Sequence, residues 1–454
     1  MKKFASIFKN KEIVNRIFFT VMILFVFRIG AQITVPGVTL GDDLNKYLQE
    51  NNALSLMNLL GGGTLQTFSI FALGVSPYIT AQIIIQLLST DVLPALTELK
   101  RQGQYGRKKI ELATRYLTLL IGAVQAYGII QTMKSSDYIT FNSGNYEWLT
   151  YIYIVIVMLA GSLLVMWLGD QISVKGIGNG ISMIIFAGIV CTLPTQITNA
   201  FGTWVLNAQG TGKELTGIFQ FVLYILCYLL IISFVTFVEL SQRKIPVQHS
   251  GKGGGQTQSM ARASFLPIKI NSAGVIPVIF ASSILMAPSV IVAFIDSSAT
   301  NAKWLGIFNT STLYEMPGIN GSTWSMPWGL IIYIVLTIAF TFFYANLQID
   351  PQQLAENFQK NGSYIPGIRP GNETERYVRK VLNRVTVIGA IALAIIASLP
   401  SILTMSGIFG NNSSLALGGT GLIIVVGVCL ELNNQINGLL AGKSFDEVVA
   451  SGGR

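Results

Sequence analysis

Ten long apolar segments leave this chain few ways to fold. They lie at residues 17–35, 68–90, 112–133, 148–169, 179–198, 216–238, 271–295, 327–347, 385–405 and 418–437. A helix rises about 1.5 Å per residue and a bilayer hydrocarbon core is roughly 30 Å thick, so about twenty apolar residues cross it. Gly217–Val238 runs for 22 residues without a charge, and Leu149–Leu168 is uncharged as well. The loops fix the direction of each crossing. Of the 30 Lys and Arg residues, 25 lie on the N-terminus and on every second loop. The opposite side holds Lys46, Lys134, Lys213 and Lys303, and Arg28 sits inside the first segment. Basic loops stay cytoplasmic during insertion, which predicts ten spans with both termini inside. No small-residue cleavage site follows the first segment, so it reads as a retained span.

Composition agrees. Charged residues make up 11% of the chain and hydrophobic ones 51%, against about 25% charged in soluble domains. The net charge of +9 then belongs to the cytoplasmic face, where it suits anionic lipids, acidic partners or RNA. Cys191, Cys227 and Cys429 lie in apolar spans, where a free Cys acts as a small hydrophobe. They predict neither a disulfide nor a metal site.

Two cytoplasmic loops, 239–270 and 347–384, are longer than orientation requires, and long loops in compact folds tend to be functional. This points to docking of a large partner. On the other face, Ala53–Leu60 is apolar but too short to cross, and Gly61–Gly63 follows it. It reads as a re-entrant half-helix. Irregular backbone at membrane depth survives only inside protein or beside a water-filled cavity, so a cavity opening outward is implied. A helix lying on the outer surface is the other reading.

The chemistry of most membrane enzymes and pumps is missing. Apart from Arg28, the spans hold no ionisable group near the midplane, where coupled transporters keep theirs. The only histidine, His249, is in a loop, which excludes a Ser–His pair or a zinc-binding HExxH helix. No catalytic residue and no cofactor is expected. Gly176–Gly180 reads as close helix packing. A passive conduit is what remains. Ile79 and Ile83, and Ile185 and Ile189, are pairs four apart that stack on one helix face, and Ile279 and Ile424 add one side chain each. A collar of bulky apolar groups closes a pore by expelling water. Periodicity alone does not single out these six.

The segment FALGVSPYITAQIIIQLL, Phe71–Leu88, resembles the second-span signature of the SecY family of protein-conducting channels. Further matches are Phe27–Gly30, Gly176–Ser182, Ala273–Pro277, Ile279–Ser283, Pro366–Gly371 and Gly418–Thr420. The resemblance implies an all-α membrane protein with ten transmembrane helices in two inverted five-helix halves, a clamshell of residues 1–200 and 201–454. It makes the six isoleucines a pore ring. It makes the stretch near residues 52–63 a plug, with Asn52, Leu54, Leu56, Met57, Leu60, Gly61, Gly62 and Gly63 as its residues. Spans 2 and 7 flank a lateral gate for signal sequences and membrane helices. Arg243, Lys244, Arg262, Lys269 and Arg369 become docking residues for the motor ATPase SecA or the ribosome. Implied partners are SecE, SecG, SecA, the ribosome, signal peptides, nascent chains and membrane lipids, with SecDF and YidC as accessories, in a bacterial plasma membrane. An accessory paralogue with few substrates and a small-solute transporter are the competing functions. One departure stands out: the tip of loop 6/7, Gln248–Arg262, is rich in Gly and Gln, with Lys252 and Arg262 as its only basic residues.

Overall fold

The computed structural model describes residues 10–41, 58, 61–89, 93–135, 139–141, 147–206, 214–249, 264–295, 303–308, 310, 314–317, 323–405 and 419–452. The helices are α1 (Lys11–Gly30), α2 (Ser76–Leu88), α3 (Pro94–Arg101), α4 (Gln104–Ser135), α5 (Glu147–Lys175), α6 (Gly180–Phe201), α7 (Glu214–Leu240), α8 (Ile276–Ile295), α9 (Trp328–Gln348), α10 (Pro351–Lys360), α11 (Asn372–Met405) and α12 (Gly419–Gly452). Each of the ten expected segments carries a helix. Eight are long and apolar enough to cross a membrane, while α2 and the Ile276–Leu285 part of α8 are shorter apolar helices. Several run past their apolar stretch: α4 and α11 begin with charged turns that the hydropathy pattern leaves out.

The second segment departs from expectation. Regular helix begins only at Ser76, and residues 64–75 are a chain of turns. Phe68 and Gly74 take left-handed φ values of 41° and 54°, which a right-handed helix does not accept. The irregular stretch is buried and bonded, as depth in a membrane demands. Val35 N–H donates to the Phe68 carbonyl at 3.0 Å, and Ile70 N–H to that of Ile33 at 3.0 Å. Thr67 Oγ1 donates to the Ala31 carbonyl at 3.0 Å, and Ser162 Oγ to that of Gly74 at 3.1 Å. Leu65, Phe68, Ala72 and Leu73 pack among Ala126, Ile130, Met133, Ile154 and Met158 of α4 and α5. Gly161 permits the approach: a Cβ there would fall 2.0 Å from the Ile70 carbonyl oxygen.

A second cluster joins α7, α8, α9, α11 and α12 around Tyr224, Ile231, Tyr333, Ile396 and Ile423. The outward faces are apolar too, with Phe18, Phe25, Phe219, Leu230 and Phe237 exposed. In a soluble protein such a surface would be a liability; against lipid it is the expected one.

Strands occur outside the spans. β1 (Val38–Leu40) pairs with β2 (Ile139–Phe141). β3 (Gln242–His249) and β4 (Ser264–Lys269) form an antiparallel ladder from Gln242↔Lys269 to Val247↔Ser264. β5 (Tyr314–Pro317) pairs with β6 (Thr323–Met326) in the long connection between α8 and α9. β7 (Ser363–Tyr364) adds to the far end of β3 through Gln248↔Tyr364 and His249↔Ser363. The two long basic loops therefore build one platform. Its core is Ile245, Ile268, Ile365, Val378 and Leu382, with Leu354 and Phe358 of α10 against it.

Candidate functional site

The site starts from how α6 is aimed. Asn179 caps the helix by accepting from Ile181 N–H at 3.1 Å. At its first residue, a Cβ on Gly180 would fall 1.7 Å from the Gly169 carbonyl oxygen, and just before the helix one on Gly176 would fall 2.4 Å from Thr20 Oγ1. Thr20 Oγ1 also accepts from Ile177 N–H at 3.1 Å. The glycine cluster is thus a close-packed joint of α1, α5 and α6, as its sequence suggested.

That joint turns Ile185, Gly188 and Ile189 to one side of α6. Ile185 and Ile189, 4% and 2% exposed, share an apolar cluster with Ile424 and Val428 of α12. Ile79 of α2 and Ile279 of α8 pack against the same cluster. Four helices from distant parts of the chain therefore bring five of the six isoleucines together. Ile83, one turn beyond Ile79, packs in a neighbouring cluster with Ala273, Phe280, Phe340, Phe343 and Tyr344. There Tyr344 Oη donates to Gln86 Oε1 at 2.8 Å, joining α2 to α9. α8 also packs along α4, so spans 2 and 3 meet spans 7 and 8 at a seam.

Of the plug residues, Asn52, Leu54, Leu56, Met57 and Leu60 lie outside the described residues. Gly61, Gly62 and Gly63 are described, and Gly62 lies against α6 beside that apolar cluster. A Cβ on Gly62 would fall 2.5 Å from Gly188 Cα, and one on Gly188 2.8 Å from Gly62 Cα. Only two glycines permit that approach. Gly62 and Gly63 also take φ values of 75° and 85°, the region that favours glycine. Buried Asn58 closes the turn: its carbonyl accepts from Gly63 N–H at 2.8 Å, and its Oδ1 accepts from Leu65 and Gln66 N–H at 3.2 Å each. Arg28 Nη1 donates to the Gly62 carbonyl at 2.7 Å.

At the platform, Arg243, Lys244, Lys269 and Arg369 are all exposed, and Arg262 lies outside the described residues. Arg369 sits between Gly367 at φ 81° and Gly371 at φ 101°. Thr374 Oγ1 donates to its carbonyl at 2.9 Å, which fixes the turn on which the exposed Arg369 sits. Arg376, Lys380 and Arg384 extend the exposed basic surface along α11. Sequence reasoning missed the strands that organise this surface. Their signal was present: Ile245 and Val247 alternate with exposed Lys244, Pro246 and Gln248, the period of a half-buried strand. Among the described residues no group of three His, Cys, Asp or Glu could hold a metal ion.

Membrane helices that converge on one apolar cluster suit a channel, and comparison shows the family to which the chain belongs. The family model SecY matches residues 69–433. A protein translocase subunit SecY of Mycoplasma capricolum is 40% identical, covering 98% of this chain and 91% of that one. Another, SecY 1 of Lactobacillus kefiranofaciens, is 42% identical over 96% of this chain and 97% of that one. A solved structure of a protein-conducting channel has the same fold, with TM-score 0.62 at 17% identity over 94% of this chain and 92% of the other. Canine Sec61 in a ribosome–channel complex gives TM-score 0.60 at 17% identity over the same shares. The chain belongs to the SecY family, and it is a multi-pass membrane protein.

Proposed function

We propose that the chain is the central protein-conducting channel of a Sec translocase. It passes unfolded polypeptide across the plasma membrane and releases membrane helices sideways into lipid. The observation that carries this reading is the convergence of α2, α6, α8 and α12 on one apolar constriction, with a glycine turn seated on it. An apolar constriction seals by dewetting and widens without breaking specific bonds, which suits a substrate of any sequence. Near-full-length likeness to proteins named translocase subunits supports it.

In this reading residues 1–200 and 201–454 are the two halves. Ile79, Ile83, Ile185, Ile189, Ile279 and Ile424 form the ring, and residues 52–63 form the plug. The seam of α2 and α4 with α8 and α9 is the lateral gate. Both termini and the platform face the cytoplasm, in line with the basic loops. The exposed arginines of the platform offer planar, multi-donor recognition of carboxylate or phosphate. A motor ATPase such as SecA presents the first and ribosomal RNA the second. SecE and SecG complete the channel, and SecDF and YidC assist it. The energy comes from these partners or the membrane potential.

Depletion tests the reading. Unprocessed secretory precursors of many kinds should accumulate as the protein is lost. Accumulation of only a few would make it an accessory translocase, and normal export with loss of uptake of a small solute would end the proposal.

A further inference from the structure

Arg28 is the one charged residue inside α1's apolar run, and its neighbours explain where it points. Phe27 stacks on Phe71 with ring centroids 5.8 Å apart. Gly30 makes room for the same ring, since a Cβ there would fall 2.2 Å from Phe71 Cε2. One side of α1 is thereby clamped to the irregular stretch. From beside that clamp, Arg28 reaches 34 residues along the chain to the Gly62 carbonyl. Gly62 in turn touches Gly188, one residue from Ile189 of the constriction. The glycine turn is thus held from two sides, by a charge-assisted bond to α1 and by bare backbone contact with α6.

The two holds differ in kind. The Gly62–Gly188 contact is short-range packing, which loses about a quarter to a half of its attraction once the helices part by about 0.5–1 Å. A hydrogen bond from a flexible arginine tolerates such a shift, and a charged donor in an apolar span has every reason to keep its acceptor. We propose that Arg28 is a positioning residue that keeps the base of the plug segment on α1 when the constriction at α6 widens. The proposal rests on the plug reading given above. Release of this bond, and not of the glycine contact, then frees the glycine turn from α1.

Hydrogen exchange on the full chain in lipid nanodiscs tests it, read at the amides of residues 61–66. Gly63, Leu65 and Gln66 N–H are bonded to Asn58, so they report directly on the turn. Arg28→Met should speed exchange there at least about tenfold, the loss expected when a hydrogen bond to a charged group is removed. Arg28→Lys, which keeps a charged donor, should restore most of the protection. A role confined to holding α1 would instead change exchange in Lys11–Gly30 and leave residues 61–66 as they were; that result overturns the proposal. If Arg28→Met does not accumulate in membranes, Arg28→Gln serves, with the same expectation and the same overturning result. Resting ion conductance separates this inference from the channel reading. A leak in Ile424→Asn with unchanged exchange in Arg28→Met removes the tether and keeps the constriction. Faster exchange in Arg28→Met with no leak in Ile424→Asn keeps the tether and removes the constriction.

Discussion

Ile424 and Ile83 carry the same side chain in two different settings, and the difference sets what each does. Ile424 is 4% exposed and surrounded by Ile185, Ile189 and Val428. Replacing it with Asn removes apolar burial worth about 1.5–3 kcal/mol and places an amide that recruits water in the cluster proposed above to seal the pore. Ile83 belongs to the aromatic seam of Phe280 and Tyr344. We therefore expect Ile424→Asn to raise the resting conductance of the channel in planar bilayers more than Ile83→Asn does. Ile83→Asn should act chiefly on the gate, through better export of proteins with weakly apolar signals. Equal conductance in both variants would count against a division of labour between the two clusters. That distinction is not legible in the sequence, because helical spacing defines one face of a helix and not the partner that the face meets.

One helix of the seam, α2, is shorter than every other span. α2 has 13 residues, about 20 Å at 1.5 Å per residue, so it cannot cross the core alone and depends on the buried turns of residues 64–75. Its far end is tied to α9 by the bond between Gln86 and buried Tyr344. In the gate reading this bond holds the seam shut. Tyr344→Phe keeps the ring packing on Phe280, whose centroid lies 4.9 Å away, and removes the hydroxyl. A neutral hydrogen bond contributes about 1 kcal/mol, so the ratio of closed to open gate should fall roughly fivefold. The measurement is export of a precursor whose signal is too weakly apolar for the unaltered channel. Export as poor as before, with equal amounts of protein in the membrane, would show that the bond does not gate. The hydropathy pattern drew α2 as a full span because Phe68–Val75 is as apolar as a helix; left-handed φ at Phe68 and Gly74 was invisible to it.

For the whole molecule the first question is which face is which. The basic platform should lie inside the cell. In a variant free of Cys191, Cys227 and Cys429, a cysteine placed at Lys244 should react with a membrane-impermeant thiol reagent in inverted vesicles and resist it in intact cells. The opposite pattern would invert the topology. Sequence by itself determined the number and order of the apolar segments and the predicted sidedness. Those follow from local sums: apolar length against bilayer thickness, and charge counted loop by loop. The family motifs added a provisional ring, but only the tertiary structure decided which isoleucines meet. It also turned two loops into one three-stranded platform, gave Arg28 its acceptor and seated Gly62 on Gly188. Each of these joins residues tens to hundreds of positions apart, 34 for Arg28 and Gly62 and 258 for Gln86 and Tyr344. A periodic pattern records which face of a helix is apolar, whereas the partner of that face is fixed only when all the helices compete to pack at once.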